Sequence, residues 1–127
     1  MKKTTISFIL PVSWLIICTF LLTLPGTAFP KENWLDKIWA DKWVHIALFS
    51  IMVFLWCRAF RAKGIDKLRL KKLFITLAIL WLIYGIAMEF VQRYWIPFRS
   101  FDVGDIVADG LGSFLGLIYS MKRYIKK

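Results

Sequence analysis

Residues 73–94 read LFITLAILWLIYGIAMEFVQRY, an uninterrupted run in which Glu89 is the first charged residue. A helix that crosses a bilayer needs roughly 20 predominantly apolar residues. Strands that cross a membrane are about half as long and must close into a barrel. This stretch therefore predicts a membrane-spanning helix, and the rest of the chain can be interpreted around it.

Three further apolar runs flank this one, at residues 6–24, 43–60 and 106–121, with loops of about ten to twenty residues between them. Pro11 lies near the start of the first run, where a helix tolerates it, and Pro25 and Gly26 end that run. We predict an all-α integral membrane protein, a four-helix transmembrane bundle that forms a single domain over residues 1–127.

The composition excludes the other common classes of protein. Of 127 residues, 59% are hydrophobic and 17% aromatic, and the formal net charge is +10. Disordered chains have low hydrophobicity, and a soluble domain this small would leave much of its Trp and Phe content exposed. Cys18 and Cys57 lie inside apolar runs, and this placement argues against a disulfide framework and against a thiolate metal site.

The first apolar run has two interpretations. Lys2 and Lys3 precede it and Gly26-Thr27-Ala28 follow it, which is also the pattern of a secretory signal cleaved after Ala28. The apolar part is long for a signal peptide, so we favour an uncleaved membrane anchor. Both interpretations give the same orientation for the spans that follow.

Basic residues predict the orientation, because Lys and Arg accumulate in short cytoplasmic loops. Of the 18 basic residues, 13 lie in the N-terminal segment, the loop 58–72 and the tail 122–127, whereas five lie on the other face. Seven of the eight acids lie on that other face, which gives local charges of +12 and −2. We expect both termini in the cytoplasm and a multi-pass protein of the bacterial cytoplasmic membrane.

The positive charge is therefore a signal for topology and for membrane lipids as partners. The basic residues flank the spans and no nucleic-acid-binding motif accompanies them, so we expect no nucleic-acid partner. The basic loop 58–72 should lie against anionic lipid head groups.

Polar residues within the spans converge on the outer face. Asp41 and His45 are four residues apart and share a helix face, and Glu89 and Gln92 are three apart on the next span. Ionisable groups at membrane depth are costly and usually face the bundle interior. The candidate catalytic residues are His45, Asp41, Glu89 and Asp105. The candidate binding residues are Lys42, Gln92, Arg99, Asp102 and Asp109.

These motifs match a known family in order and spacing. Asp41-Lys42-x-x-His45, Glu89-x-x-Gln92, Pro97-x-Arg99-Ser100 and Asp102-x-x-Asp105 before a glycine-rich helix resemble the VanZ-like family of small bacterial membrane proteins. The resemblance extends from about residue 41 to residue 116. It implies a cell-envelope protein linked to glycopeptide susceptibility, because the founding member is associated with low-level teicoplanin resistance. It implies no known reaction. At Asp109 this chain departs from the family, whose members commonly have Asn there.

Several roles for the polar cluster remain open. The contacts could act only as interhelical glue, in which Arg99 pairs with Glu89 or Asp105. In a catalytic role, His45 would be a general acid or base positioned by Asp41, and Arg99 would hold a phosphate or carboxylate of a lipid-linked cell-wall intermediate. Conduction of ions is a further alternative, although no repeat or broken helix supports it.

The sequence assigns no cofactor. A divalent metal held by His45 with Glu89, Asp105 and Asp109 stays an open alternative, because one His without a tight ligand motif is a weak signal.

Two patterns indicate structure. Ala108, Gly112, Gly116 and Ser120 recur every four residues and predict a close-packing face within the bundle, with a homo-oligomer contact as the alternative. Trp34, Trp39, Trp43 and Trp95 cluster near the outer boundary, where indoles anchor a protein at the membrane interface.

Overall fold

The computed structural model describes residues 6–25, 40–97 and 101–126. These residues form four helices, which we number in chain order: α1 (Ile9–Leu22), α2 (Ala40–Arg61), α3 (Lys67–Trp95) and α4 (Val103–Tyr124). No strand occurs within the three described ranges. The predicted all-α class is confirmed for this part of the chain.

Three of the helices are long and apolar enough to cross a membrane. Helices α2, α3 and α4 contain 22, 29 and 22 residues, and their most apolar windows have mean hydropathies of 1.7, 2.1 and 1.2. Helix α1 has 14 residues, which cover about 21 Å at 1.5 Å per residue. That is shorter than a hydrocarbon core of about 30 Å, so α1 falls below the length of the other three predicted spans.

The three long helices begin before the apolar runs that predicted them. Helix α2 starts at residue 40 instead of 43, α3 at 67 instead of 73 and α4 at 103 instead of 106. Hydropathy marks the depth of the lipid, whereas the hydrogen-bonded helix continues into polar residues. The start of α4 is capped by Asp102, whose Oδ1 accepts a hydrogen bond from the Gly104 N–H at 2.8 Å.

Helix α3 exposes apolar side chains and buries polar ones near its end. Ile79, Leu80 and Ile83 of α3 are each more than half exposed, whereas Glu89 and Gln92 of the same helix are 1% exposed. A water-soluble helix has the opposite distribution. Because lipid solvates the exposed aliphatic groups and cannot solvate the buried polar ones, this arrangement is that of a membrane protein.

Helices α2 and α4 run parallel, and α3 runs antiparallel between them in the chain. A short turn with Gly64 at φ +73°, a left-handed conformation that favours glycine, connects α2 to α3. The starts of α2 and α4 and the end of α3 form what we call the acidic end of the bundle. The end of α2, the start of α3 and the end of α4 form the basic end.

Helices α2 and α4 share the most extensive contact in the bundle. A Cβ atom on Gly112 would lie 2.5 Å from the Ile46 carbonyl oxygen, and one on Gly116 would lie 2.6 Å from that of Ser50. The Ser50 hydroxyl donates to the Gly112 carbonyl at 3.0 Å. The predicted close-packing stripe is thus confirmed, because its two glycines let the backbones of α2 and α4 touch.

Apolar packing fills the basic half of the bundle. A buried cluster of α2 and α3 side chains lies there, with Leu117 and Met121 of α4 packed against it: Val53, Cys57, Leu70, Phe74, Leu77 and Ala78. Cys18 and Cys57 are both buried and free.

Helix α1 packs against α2, where the Trp14 indole N–H donates to the Leu48 carbonyl at 3.0 Å. Trp43 and Trp95 are largely exposed at the acidic end, whereas Trp34 and Trp39 lie outside the described residues.

Candidate functional site

A lysine surrounded by three carboxylates occupies the outermost layer of the acidic end. The Lys42 Nζ lies 2.6 Å from Asp41 Oδ2, 2.5 Å from Asp102 Oδ2 and 2.7 Å from Asp105 Oδ1. We call these four residues the lysine group. An ammonium has three protons to donate, so three carboxylate acceptors satisfy Lys42 completely.

The local sequence explains why these residues meet. Asp41 and Lys42 lie in the first turn of α2, and Asp105 lies in the first turn of α4, one turn after its cap Asp102. The parallel direction of α2 and α4 brings both first turns to the same level. The positive end of each helix dipole favours carboxylates in a first turn. The Lys42 ammonium holds the pKa of Asp102, which precedes the spanning segment, below its usual value.

A histidine and two further acids lie one layer deeper, next to Asp105. His45 Nδ1 is 2.7 Å from Asp109 Oδ1, and both residues are buried. The other ring nitrogen, Nε2, is 3.7 Å from Asp105 Oδ2. One atom each from His45, Glu89 and Asp105 lie within 4.8 Å of one another. We call these three residues the histidine group.

Glu89 reaches this layer from the end of α3. It is 1% exposed, and its Oε2 accepts a hydrogen bond from the Asp102 backbone N–H at 3.0 Å. Glu89 thereby connects α3 to the cap of α4. Because Asp105 contributes Oδ1 to the lysine group and Oδ2 to the histidine group, the two layers share one carboxylate.

The structure brings together most of the residues that the sequence predicted. Seven of the nine candidates lie in the two groups or contact them: Asp41, Lys42, His45, Glu89, Asp102, Asp105 and Asp109. Gln92 is buried, but its side-chain amide donates to the Leu22 carbonyl at 2.8 Å and so ties α3 to the end of α1. Arg99 and its predicted pairing with Glu89 or Asp105 lie outside the described residues.

One predicted role is wrong. Asp41 was expected to position His45 from the same helix face, but the structure gives that contact to Asp109. Asp41 pairs instead with the neighbouring Lys42, and its side chain is 59% exposed. The reason is depth, because one helical turn separates Asp41 from His45 and places Asp41 in the outer, more hydrated layer.

Sequence reasoning missed Gly85. A Cβ atom at this position would lie 2.6 Å from Asp109 Oδ2, so the missing side chain creates the space that Asp109 occupies. The signal that could have found it is its spacing, since Gly85 precedes Glu89 by four residues and therefore shares its helix face.

The site carries an excess of negative charge. Among the described residues, five carboxylates surround one lysine and one histidine: Asp41, Glu89, Asp102, Asp105 and Asp109. Such a site can hold a cation or pass a proton between His45 and the adjacent carboxylates. No protein-family model, curated protein or solved structure matches this chain.

Proposed function

We propose that this chain is a VanZ-like protein of the bacterial cytoplasmic membrane that binds or modifies a cell-envelope component at the outer leaflet. A lipid-linked cell-wall intermediate is the proposed ligand, and reduced susceptibility to glycopeptides such as teicoplanin is the proposed result. The supporting observation is the buried histidine group with Asp109, in which His45, Glu89 and Asp105 converge below the lysine group. Buried ionisable groups in membrane helices indicate function by default.

The proposed orientation places the acidic end outside and both termini in the cytoplasm. The basic loop 58–72, with seven Lys and Arg residues, supports this orientation. Helix α1 would contribute the fourth crossing, lengthened by its flanking residues. A reporter enzyme that is active only in the cytoplasm, fused after Lys127, should be active. Activity of a periplasmic reporter at the same position would contradict the orientation.

In the proposed chemistry, His45 is the proton carrier. Asp109 holds the Nδ1 side of the ring, so Nε2 faces Glu89 and Asp105 and is the nitrogen that can exchange a proton with a bound ligand. Arg99 is proposed to contact a phosphate or carboxylate of that ligand. The exposed indoles of Trp43 and Trp95 would keep this layer at the depth of the lipid head groups.

A scaffold without catalytic chemistry is the second candidate. The observation that favours it is the complete pairing of Lys42 by three carboxylates, which is what interhelical glue would look like. In that case, the polar cluster would hold α2 and α4 together, and the loss of one charge would matter only through stability.

Teicoplanin susceptibility of a host that expresses Asp105→Asn separates the two candidates. The amide keeps the shape of the side chain, removes its charge and leaves Lys42 two carboxylates. Asp66→Asn is the matched control, because Asp66 lies at the basic end and its side chain is 64% exposed. Each variant is normalised to its folded amount by size exclusion in detergent.

We expect Asp105→Asn to fold and to lose protection, whereas Asp66→Asn keeps it. If Asp105→Asn protects as well as the wild type at equal folded amount, the proposed outer-leaflet activity is wrong. If total protection falls only in proportion to the folded amount, the scaffold is the better explanation and the proposed activity is rejected.

A further inference from the structure

The lysine group and the histidine group differ in one respect. The three carboxylates of the lysine group share one ammonium, so the chain itself supplies a cation there. In the histidine group, three electron-pair donors converge within 4.8 Å, and all three residues are buried. Lys42 reaches only the Oδ1 side of Asp105. The converging donors are therefore satisfied either by protons shared among them or by a bound cation.

The His45 ring is oriented so that Nε2 can act as a ligand between Glu89 and Asp105. The side chain is 7% exposed, and the Asp109 carboxylate at 2.7 Å favours the tautomer in which Nδ1–H donates to Asp109 and the lone pair is on Nε2. The carboxylate oxygen nearest to Nε2 among the described residues is Asp105 Oδ2 at 3.7 Å, which is longer than a hydrogen bond. A carboxylate that fixes the ring from the far nitrogen is the usual outer partner of a metal-bound histidine.

We propose that His45 Nε2, Glu89 and Asp105 bind one divalent metal ion, for which Zn²⁺ is the best-fitting candidate. One imidazole nitrogen and two carboxylate oxygens are donors that Zn²⁺ accepts, and three protein ligands leave the fourth position open to a ligand oxygen. A tetrahedral ion with bonds of about 2.1 Å holds its ligands about 3.4 Å apart. The 3.7 Å separation of Nε2 and Asp105 Oδ2 is close to that value.

The metal would resolve a charge conflict in the proposed function, and in this respect the inference rests on that function; with Nε2 bound to the ion, His45 would be a metal ligand in place of the proton carrier. Five carboxylates repel a phosphate-bearing head group, whereas a divalent ion with an open position attracts one and polarises its oxygen. Asp109 would be a positioning residue that touches the ring but not the ion. The Asp102 backbone N–H would hold Glu89 in place through Oε2 at 3.0 Å.

Metal content of the purified chain tests this proposal directly. The full-length protein is purified in detergent, stripped with a chelator, checked for folding by size exclusion, and titrated with Zn²⁺. We expect one equivalent of bound Zn²⁺ per chain. Substitution with Co²⁺ should then give the visible absorption of a site with low coordination number, and this absorption should disappear when excess Zn²⁺ is added.

Variants locate the ion. Glu89→Gln and His45→Gln should each lose the bound equivalent, whereas Asp41→Asn, the matched control in the lysine group, should retain it. Asp109→Asn should weaken Zn²⁺ binding by about 10- to 100-fold while the stoichiometry stays at one, because it acts only through the orientation of His45.

Two results would overturn the metal site. If the stripped, folded wild type binds no Zn²⁺ above the level of Glu89→Gln, protons satisfy the histidine group. If Asp41→Asn removes the bound ion while Glu89→Gln keeps it, the ion belongs to the lysine group. Should the variants not fold, the wild-type titration alone decides, with one bound equivalent supporting the site and none refuting it.

The outcome is independent of the test of the proposed function. Zn²⁺ binding is measured on the isolated protein, whereas protection is measured in cells. Bound Zn²⁺ without teicoplanin protection would refute the function and keep the metal site. Protection without bound Zn²⁺ would do the reverse.

Discussion

The two halves of the interface between α2 and α4 are held together in different ways. In the deeper half, which begins one helical turn past Asp109 and extends to the middle of the helices, Gly112 and Gly116 let the backbones touch at Ile46 and Ser50; we call it the glycine half. At the acidic end, the same two helices meet through ion pairs, among them Lys42 with Asp105 and His45 with Asp109. Backbone contact costs no desolvation of charge, whereas buried ion pairs often contribute little net stability.

This difference indicates the role of the buried charges at the acidic end. The glycine half already supplies a close contact within the most extensive helix interface, so we attribute assembly mainly to this half and only a smaller part of the stability to the charged contacts. Polar residues that stay in a membrane bundle at such a cost indicate a function. The comparison therefore predicts that changes in the glycine half reduce folding, and that isosteric changes in the histidine group reduce function.

The largest loss of stability should come from Gly112→Ala. The new Cβ atom would lie 2.5 Å from the backbone oxygen of Ile46, which cannot move without the whole of α2. We expect a destabilisation of about 3 kcal/mol from such overpacking, seen as a lower melting temperature and a lower folded yield in detergent.

Gly110→Ala is its matched control on the same helix. A Cβ atom there would make only ordinary contacts with the two Leu82 methyl carbons, at 3.5 and 4.0 Å. Because alanine is the better helix former, Gly110→Ala should be neutral or slightly stabilising. Equal melting temperatures for the two variants would show that the close contact at Gly112 is not required for assembly.

Lys42→Met should have the next largest effect. It leaves three carboxylates within one group without their shared cation, and removal of one partner from a partly buried ion pair costs about 2 kcal/mol. The loss should shrink as the pH falls, because protonation of the carboxylates relieves their repulsion. Thermal unfolding of the variant and the wild type between neutral and acidic pH measures this, and a loss that is constant with pH would refute the role of Lys42.

Asp102→Ala should cost about 1 kcal/mol, because it removes the helix cap of α4 along with one contact of Lys42. Asp102→Asn keeps a capping oxygen and loses only the charge. Since the pKa of Asp102 is lowered in the folded state, its charge stabilises the fold above the unfolded pKa of about 3.9. This contribution disappears as the pH falls through the lower folded value.

The gap in melting temperature between the wild type and Asp102→Asn should therefore be present at neutral pH and close in acid. A gap that widens in acid would contradict the pairing with Lys42. Asp66→Asn should give the smallest effect of all, within about 0.5 kcal/mol, because the 3.8 Å pair with Arg69 is exposed on both sides.

The sequence predicts the three long helices and the residues of the lysine and histidine groups well. It predicts less well which of these residues contact each other. Apolar runs predict α2, α3 and α4, because a span must be long and continuous. Spacing by three or four residues places Asp41 and His45, or Glu89 and Gln92, on one helix face. It does not fix how that helix is rotated against its neighbours.

Three results depend on that rotation. Asp109, not Asp41, contacts His45. The Gln92 amide donates to the Leu22 carbonyl at the end of α1, and Gly85 leaves the space that the Asp109 carboxylate occupies. Each is a contact between residues far apart in the chain. Such contacts follow from how α2, α3 and α4 pack, and no pattern within a single helix contains that information.

The most direct test of the division between the two halves is a paired measurement on Glu89→Gln, namely its melting temperature in detergent and the proposed teicoplanin protection per folded molecule. The side-chain oxygen of glutamine can still accept the bond from the Asp102 N–H, so the fold should keep its contact. We predict a melting temperature close to that of the wild type and a loss of protection. Wild-type protection by a fully folded Glu89→Gln protein would contradict the account, because the buried charges at the acidic end would then serve no function.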